Sequence, residues 1–193
     1  MSAPNASDLG ASDLPGLRRP LCLVGPRGAG KTSAGALLAE RLERTFVDLD
    51  RALERRCGRS IPELLAEGLP AFRQHEASVL EFALAFLSGA ERGVVIATGG
   101  GVVLLPQNRL LLRQAAEVAY LHADPEVLAA RVSADAEEER PPLVEGGPLA
   151  EAQAVLAARD PLYREVAGAV VDAARPLPEV VAELVAWASP GSS

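Results

Sequence analysis

The chain contains one lysine, Lys31, against eighteen arginines, and that lysine completes the run Gly25-Pro26-Arg27-Gly28-Ala29-Gly30-Lys31-Thr32. The run fits G-x-x-x-x-G-K-[ST] at every fixed position. It constrains the fold more than any other stretch, because such a loop works only between a buried strand and a helix. The glycines let backbone N–H groups turn inward as an anion nest, and the helix that follows points its N-terminus at the phosphates. The Thr32 hydroxyl is then a ligand for Mg²⁺. An ammonium suits the space between a β- and a γ-phosphate because it is a compact point charge, whereas a planar guanidinium fork has the wrong shape. The flanks supply the required context. Pro20-Leu21-Cys22-Leu23-Val24 reads as a buried strand, and Thr32 to Arg44 as an amphipathic helix.

The chain's 193 residues suit one domain. Residues 1–18, rich in Ser, Ala, Asp, Pro and Gly and without periodicity, are expected to form a disordered tail ahead of a single domain over 19–189. A 49% hydrophobic and 23% charged composition is enough to bury a full core. The net charge of −7 argues against a general nucleic-acid or membrane-surface binder, so an anion site must be built locally from placed arginines and backbone amides. Cys22 and Cys57 make no disulfide framework, and Cys22 reads as a small apolar strand residue. There is no apolar run of about 18 residues and no basic start followed by an apolar stretch. These features lead us to expect a cytoplasmic protein that binds neither nucleic acid nor membrane; we also expect a monomer, which these features do not decide.

Strand and helix signals alternate after the tail. Strands are expected at Leu21–Val24, Thr45–Val47, Gly93–Ala97, Glu117–Leu121 and Ala169–Val171. Helices are expected at Lys31–Arg44, Arg51–Cys57, Ile61–Glu67, Leu69–Leu87, Pro106–Gln114, Pro125–Ser133, Leu149–Glu165 and Pro178–Trp187. Apolar β-branched strands separated by helices imply an α/β protein with a parallel sheet covered on both faces. Ala134 to Pro148 breaks the pattern with the consecutive Glu137-Glu138-Glu139, Arg140, prolines and glycines. A stretch of this length is either a plain surface loop or an active-site lid, and the lid, at about 134–148, is the favoured reading.

Three further motifs carry chemistry. Phe46-Val47-Asp48-Leu49-Asp50 ends the second strand, and two aspartates two apart on an extended segment point the same way, into the crevice at a parallel sheet's carboxyl edge. One carboxylate can serve the Mg²⁺ shell and the other a substrate hydroxyl; the alternative is helix capping, which suits Asp50. Arg73 and Glu76 stand i, i+3 on a helix, either as a surface ion pair or as a substrate-carboxylate clamp with its orienting partner. Thr98-Gly99-Gly100-Gly101 follows the third strand, where three glycines expose backbone and admit a ligand closely. That strand ends without a Walker B aspartate, which assigns the metal-shell role to Asp48. Arg159-Asp160-Pro161-Leu162-Tyr163 and Arg175-Pro176 lie further on. His75 and His122 read as structural or exposed.

In this order these residues resemble the shikimate kinase family over nearly the whole chain, from about Pro20 to Trp187. The resemblance rests on Gly25–Thr32, Phe46–Asp50, Gly68 with Phe72-Arg73-x-x-Glu76, Gly99–Gly101, Arg140-Pro141, Arg159 with Tyr163, and Arg175-Pro176. It implies a P-loop, nucleoside-monophosphate-kinase-like fold with five parallel strands in order 2-3-1-4-5 and a mobile lid. It also implies transfer of the ATP γ-phosphate to the 3-hydroxyl of shikimate, towards chorismate and the aromatic amino acids. Carried onto this chain, the loop from Gly28 and Ala29 through Gly30, Lys31, Thr32 and Ser33 holds the phosphates. Thr32 and Asp48 serve Mg²⁺, the latter from its outer shell. Asp50 contacts the shikimate hydroxyls and is the candidate base. Arg73 and Arg159 clamp the carboxylate beside Gly99, Gly100 and Gly101. Arg140 swings from the lid to the phosphates as a third catalytic group with Lys31 and Asp50, and Arg175 lies against the adenine.

The sequence departs from the family pattern in the lid, which reads Arg140-Pro141-Pro142-Leu143 where R-P-L-L is common. The stretch from Arg131 to Arg140 is also longer and more acidic, which leaves the nucleotide role of Arg131 open. Two rival readings are a gluconate or nucleoside monophosphate kinase, which would not call for the combined acceptor motifs, and a non-catalytic ATP-binding module, which would not need acceptor residues at all.

Overall fold

The computed structural model describes residues 19–87, 92–134 and 145–189. The expected tail, most of the expected lid (135–144) and Arg140 lie outside the described residues. Within them the chain runs β1 (Leu21–Val24), α1 (Lys31–Arg41), β2 (Thr45–Asp48), α2 (Leu49–Cys57), α3 (Ile61–Leu65) and α4 (Leu69–Leu87). It continues through β3 (Val94–Ala97), a 3-10 turn at Val102–Leu104, α5 (Pro106–Ala115), β4 (Glu117–His122), α6 (Pro125–Ala134), α7 (Gly147–Val166), β5 (Ala169–Asp172) and α8 (Leu177–Ala188). All five expected strands form, and every ladder is parallel, in the order β2-β3-β1-β4-β5. Among the described residues no helix is long and apolar enough to cross a membrane.

Alternation along the strands divides the apolar residues between two cores. Cys22, Val24, Val94, Ile96, Val118 and Tyr120 face one side, where they meet residues of α2 to α5 and α7. Leu21, Leu23, Val95, Ala119 and Leu121 face the other, against α1, α6 and α8. Both faces of β1 are therefore apolar, and all four of its residues are fully buried. This is the sequence pattern of a central parallel strand with helices on each side. Burial also pushes the Cys22 thiol up to about 12, which leaves it a neutral packing group.

The strand order places β1 where the chain changes direction across the sheet. It pairs with β3 on one side and β4 on the other, with Cys22 level with Ile96 and Val118. In an open parallel sheet, the crevice at that switch, beyond the strands' carboxyl ends, is where ligands bind. The segments leaving β1, β2 and β3 all enter it.

Several expected boundaries move by one to three residues, and two of the shifts have a clear local reason. Helix α1 stops at Arg41 rather than Arg44. Glu43 adopts a left-handed φ of 53°, and the N–H groups of Arg44 and Glu43 fold back to the carbonyls of Ala39 and Glu40. This is a Schellman ending in which glutamate stands where glycine is usual. Helix α2 starts at Leu49 rather than Arg51, because Asp48 caps it through bonds from the N–H groups of Asp50 (3.0 Å) and Arg51 (3.1 Å). We predict that Glu43→Gly, at this exposed position, raises stability by about 1 kcal/mol by relieving the left-handed strain. The denaturant midpoint in urea unfolding measures it, and the outcome expected is a higher midpoint at unchanged slope.

Candidate active site

The loop after β1 turns back on itself before α1. The Ala29 N–H reaches the Pro26 carbonyl at 3.3 Å, and Gly30 caps the helix with a left-handed φ of 81°. The Lys31 ammonium folds over the loop and donates to the same Pro26 carbonyl at 2.8 Å, which holds it at the mouth of the nest. The next residue's hydroxyl, Thr32 Oγ1, donates to Asp48 Oδ2 at 2.7 Å, joining the loop to the end of β2. Lys31, Thr32, Asp48, Asp50, Arg27 and Gly100 line a cavity of about 280 Å³.

Asp48 and Asp50 share this cavity, but not through the extended geometry expected from the sequence. Only Asp48 ends a strand, whereas Asp50 lies in the first turn of α2. The cap is likewise Asp48 and not Asp50. One carboxylate oxygen of Asp48 holds the helix terminus and the other holds Thr32, which fixes the group in place. Asp50 instead turns toward Gly99, and a Cβ added there would come within 2.9 Å of its Oδ1.

Helix α4 supplies the next pair. Arg73 donates to Glu76 at 2.8 Å, and only 4% of the Glu76 side chain is exposed. The pair is therefore buried, and the surface reading of it fails. Burial pushes the Glu76 carboxyl above its ordinary range, while Arg73 and Arg159 pull the other way. Its room exists because the chain opposite has no side chains. A Cβ on Gly99 would strike the Glu76 carboxylate, and one on Gly101 would run into the Arg73 guanidinium. A second cavity, of about 80 Å³, opens beside them, lined by Leu69, Phe72, Arg73, Gly101, Arg159 and Glu151. Arg159, from α7, donates to the Gly100 carbonyl at 3.0 Å. Two arginines from different helices thus face one small cavity, which is the arrangement that grips a carboxylate.

A third cavity, of about 250 Å³, lies past Ser33 on the far side of the phosphate loop, with Ala29, Arg131, Arg175, Leu177 and Val180 among its walls. Arg175 is tied there by Asp172 and by an ion pair to Glu183. The apolar walls suit a flat base, and the two arginines suit its edge and the adjoining phosphates.

Three residues to which the sequence reading gave no role also line or hold the site. Arg27 occupies a free position of the loop motif, yet lines both the 280 Å³ and the 80 Å³ cavities. Arg131 donates to the Gly28 carbonyl at 3.4 Å and lines both the 280 Å³ and the 250 Å³ cavities. Tyr163 reaches the Gly100 carbonyl. Its signal was present, four residues after Arg159 and so on the same helix face. Glycine 101 yields a direct test. Gly101→Ala is expected to raise the acceptor KM at least tenfold by displacing Arg73, with the KM for ATP within about twofold. Steady-state kinetics measures both, and unchanged acceptor binding counts against the packing described.

Comparison with known proteins shows the family. The shikimate kinase family model matches residues 27–189. A shikimate kinase of Oleidesulfovibrio alaskensis is 45% identical over 165 residues, 84% of this chain and 93% of that one. One from Pseudomonas putida is 43% identical over 164 residues, covering 84% and 91%. The solved shikimate kinase of Acinetobacter baumannii, in complex with shikimate, superposes with a TM-score of 0.78 at 35% identity, covering 91% of this chain and 97% of that one. A gluconokinase of Sinorhizobium meliloti superposes at 0.61 with 22% identity, a likeness of fold alone. The chain, with its P-loop and five-stranded parallel sheet, therefore belongs to the shikimate kinase family, a family of ATP-dependent kinases.

Proposed function

We propose that this chain transfers the γ-phosphate of ATP to the 3-hydroxyl of shikimate, in the route to chorismate, with its work divided among the three cavities. The observation that carries the reading is the convergence of Arg73 and Arg159 on one small cavity that shares Gly100 and Arg27 with the phosphate cavity. A small hydroxy acid held by its carboxylate between those arginines presents a hydroxyl toward Asp50. The Asp50 carboxylate orients that hydroxyl and accepts its proton as the new O–P bond forms and the bond to the β-phosphate oxygen breaks. ADP is the leaving group. The Lys31 ammonium and the loop amides from Gly28, Ala29 and Gly30 to Ser33 neutralise the phosphates. Arg131 adds positive charge on the nucleotide side, and Arg175 closes the base cavity. Arg140, outside the described residues, is assigned from the sequence to the phosphates.

The Thr32 hydroxyl and the Asp48 carboxylate, 2.7 Å apart at the cavity edge, are hard oxygen donors that fit Mg²⁺. That ion keeps several waters and takes few protein ligands beside the phosphates. Thr32 would hold it and Asp48 would orient Thr32 or a water of its shell. When bound, Mg²⁺ supplies charge neutralisation on the phosphate oxygens.

The deciding experiment measures ADP release with shikimate, gluconate and nucleoside monophosphates as acceptors. Turnover with shikimate alone is expected, and turnover only with another acceptor overturns the assignment. Asp50→Asn is expected to lower kcat by roughly 10²- to 10⁴-fold while leaving the KM for ATP within about twofold, the scale of losing a general base. Undiminished turnover removes Asp50 from that role. Arg73→Lys, which keeps the charge and loses the fork, is expected to raise the shikimate KM with a smaller effect on kcat.

A further inference from the structure

The three consecutive glycines after β3 each carry a carbonyl that must find a donor. Two are taken within the 3-10 turn: Gly99 by the Val102 N–H at 3.2 Å and Gly101 by the Leu104 N–H at 3.0 Å. The Gly100 carbonyl is held differently, by two side chains of α7. Arg159 donates to it at 3.0 Å and the Tyr163 hydroxyl at 2.5 Å. Tyr163 is fully buried, with its ring stacked on Tyr120 at 4.9 Å between centroids. The two donors stand i, i+4 on one face of α7, and Pro161 between them has no N–H, so that turn lacks one backbone bond.

We infer that Tyr163 is a positioning residue of the acceptor pocket, acting through the Gly100 carbonyl to set the direction of the Gly100–Gly101 peptide and of Arg159. The peptide is planar and trans, so the direction of its carbonyl fixes the opposite direction of the Gly101 N–H. Gly101 and Arg159 both wall the 80 Å³ cavity. With the hydroxyl in place, the carbonyl is tethered on its helix side. Arg159 therefore needs only one of its N–H groups there and keeps the others for a bound carboxylate. Burial pushes the Tyr163 phenol up to about 12, so it is a neutral donor across the working range of a kinase. The inference rests on the reading that Arg159 holds the acceptor.

The test is Tyr163→Phe, which keeps the ring and removes one oxygen. The expected result is a rise of about tenfold in the shikimate KM, the scale of one buried hydrogen bond, with kcat changed less than threefold, the KM for ATP within twofold and the melting temperature within a few degrees. In an Arg159→Ala background the same change should add less than twofold, because both act at one carbonyl. Tyr120→Phe serves as the control. Its hydroxyl donates to Asp160 at 3.0 Å, away from the glycines, and its removal should leave the shikimate KM within twofold. The inference is overturned by an unchanged shikimate KM in Tyr163→Phe, by additive effects in the double variant, by an equal effect of Tyr120→Phe, or by loss of the folded state. Arg159→Ala alone separates the two layers. If it leaves the shikimate KM unchanged, the acceptor assignment fails and this inference with it. If it raises that KM while Tyr163→Phe does not, only this inference fails.

Discussion

On the proposed reading, the acceptor side of the site depends on one ion pair, Arg73 with the buried Glu76. Removing a carboxylate such as Glu76 from water is costly unless a cation stays beside it, and here Arg73 does so at 2.8 Å. That pair leaves no space for side chains on the chain that crosses it, which is why Gly99 and Gly101 have none. With those positions bare, backbone, guanidinium and carboxylate come within contact of one another. The small cavity that results has charge on its walls. A pair so buried holds its fork in one orientation, and orientation is what recognition of a planar carboxylate requires.

The side proposed for the nucleotide is organised differently. Asp48 divides its two oxygens between the N-terminus of α2 and the hydroxyl of Thr32, so one side chain couples strand, helix and phosphate loop. Lys31 is held by the loop it belongs to, through the Pro26 carbonyl. Both groups are therefore held by contacts within the protein itself. On the proposed reading, this preorganisation lets phosphoryl transfer proceed with little rearrangement of charge on the phosphate-loop side. Arg27 and Gly100, common to both cavities, mark where the two substrates would meet.

Much of this was legible in the sequence because the signals were local. The phosphate loop, the triple glycine and the Arg73–Glu76 spacing each pointed to residues that line a cavity, and the five strands fell within one residue of their expected bounds. The errors were also local in origin. Reading Asp48 and Asp50 as one extended pair ignored that a capping aspartate ends the strand it belongs to. Placing the end of α1 at Arg44 missed a left-handed turn at Glu43, because glutamate carries no such signal. Arg27, Arg131 and Tyr163 went unassigned for another reason. Each acts across elements distant in sequence, and an arginine or tyrosine alone gives no hint of the carbonyl or cavity it will face.

The sequence by itself determined the chemistry available: a phosphate nest with one ammonium, two aspartates at a strand end, bare glycines, and arginines at fixed intervals. It determined the alternating apolar pattern from which a doubly covered parallel sheet follows. Tertiary structure decided which of those groups share a space. That Arg73 from α4 and Arg159 from α7 face one cavity, and that Tyr163 reaches a glycine 63 residues away, follows only once β3, β1 and β4 lie side by side. The physical reason is range. Capping, turns and helix faces are settled within a few residues, whereas burial and charge pairing are settled by whatever the sheet order brings together.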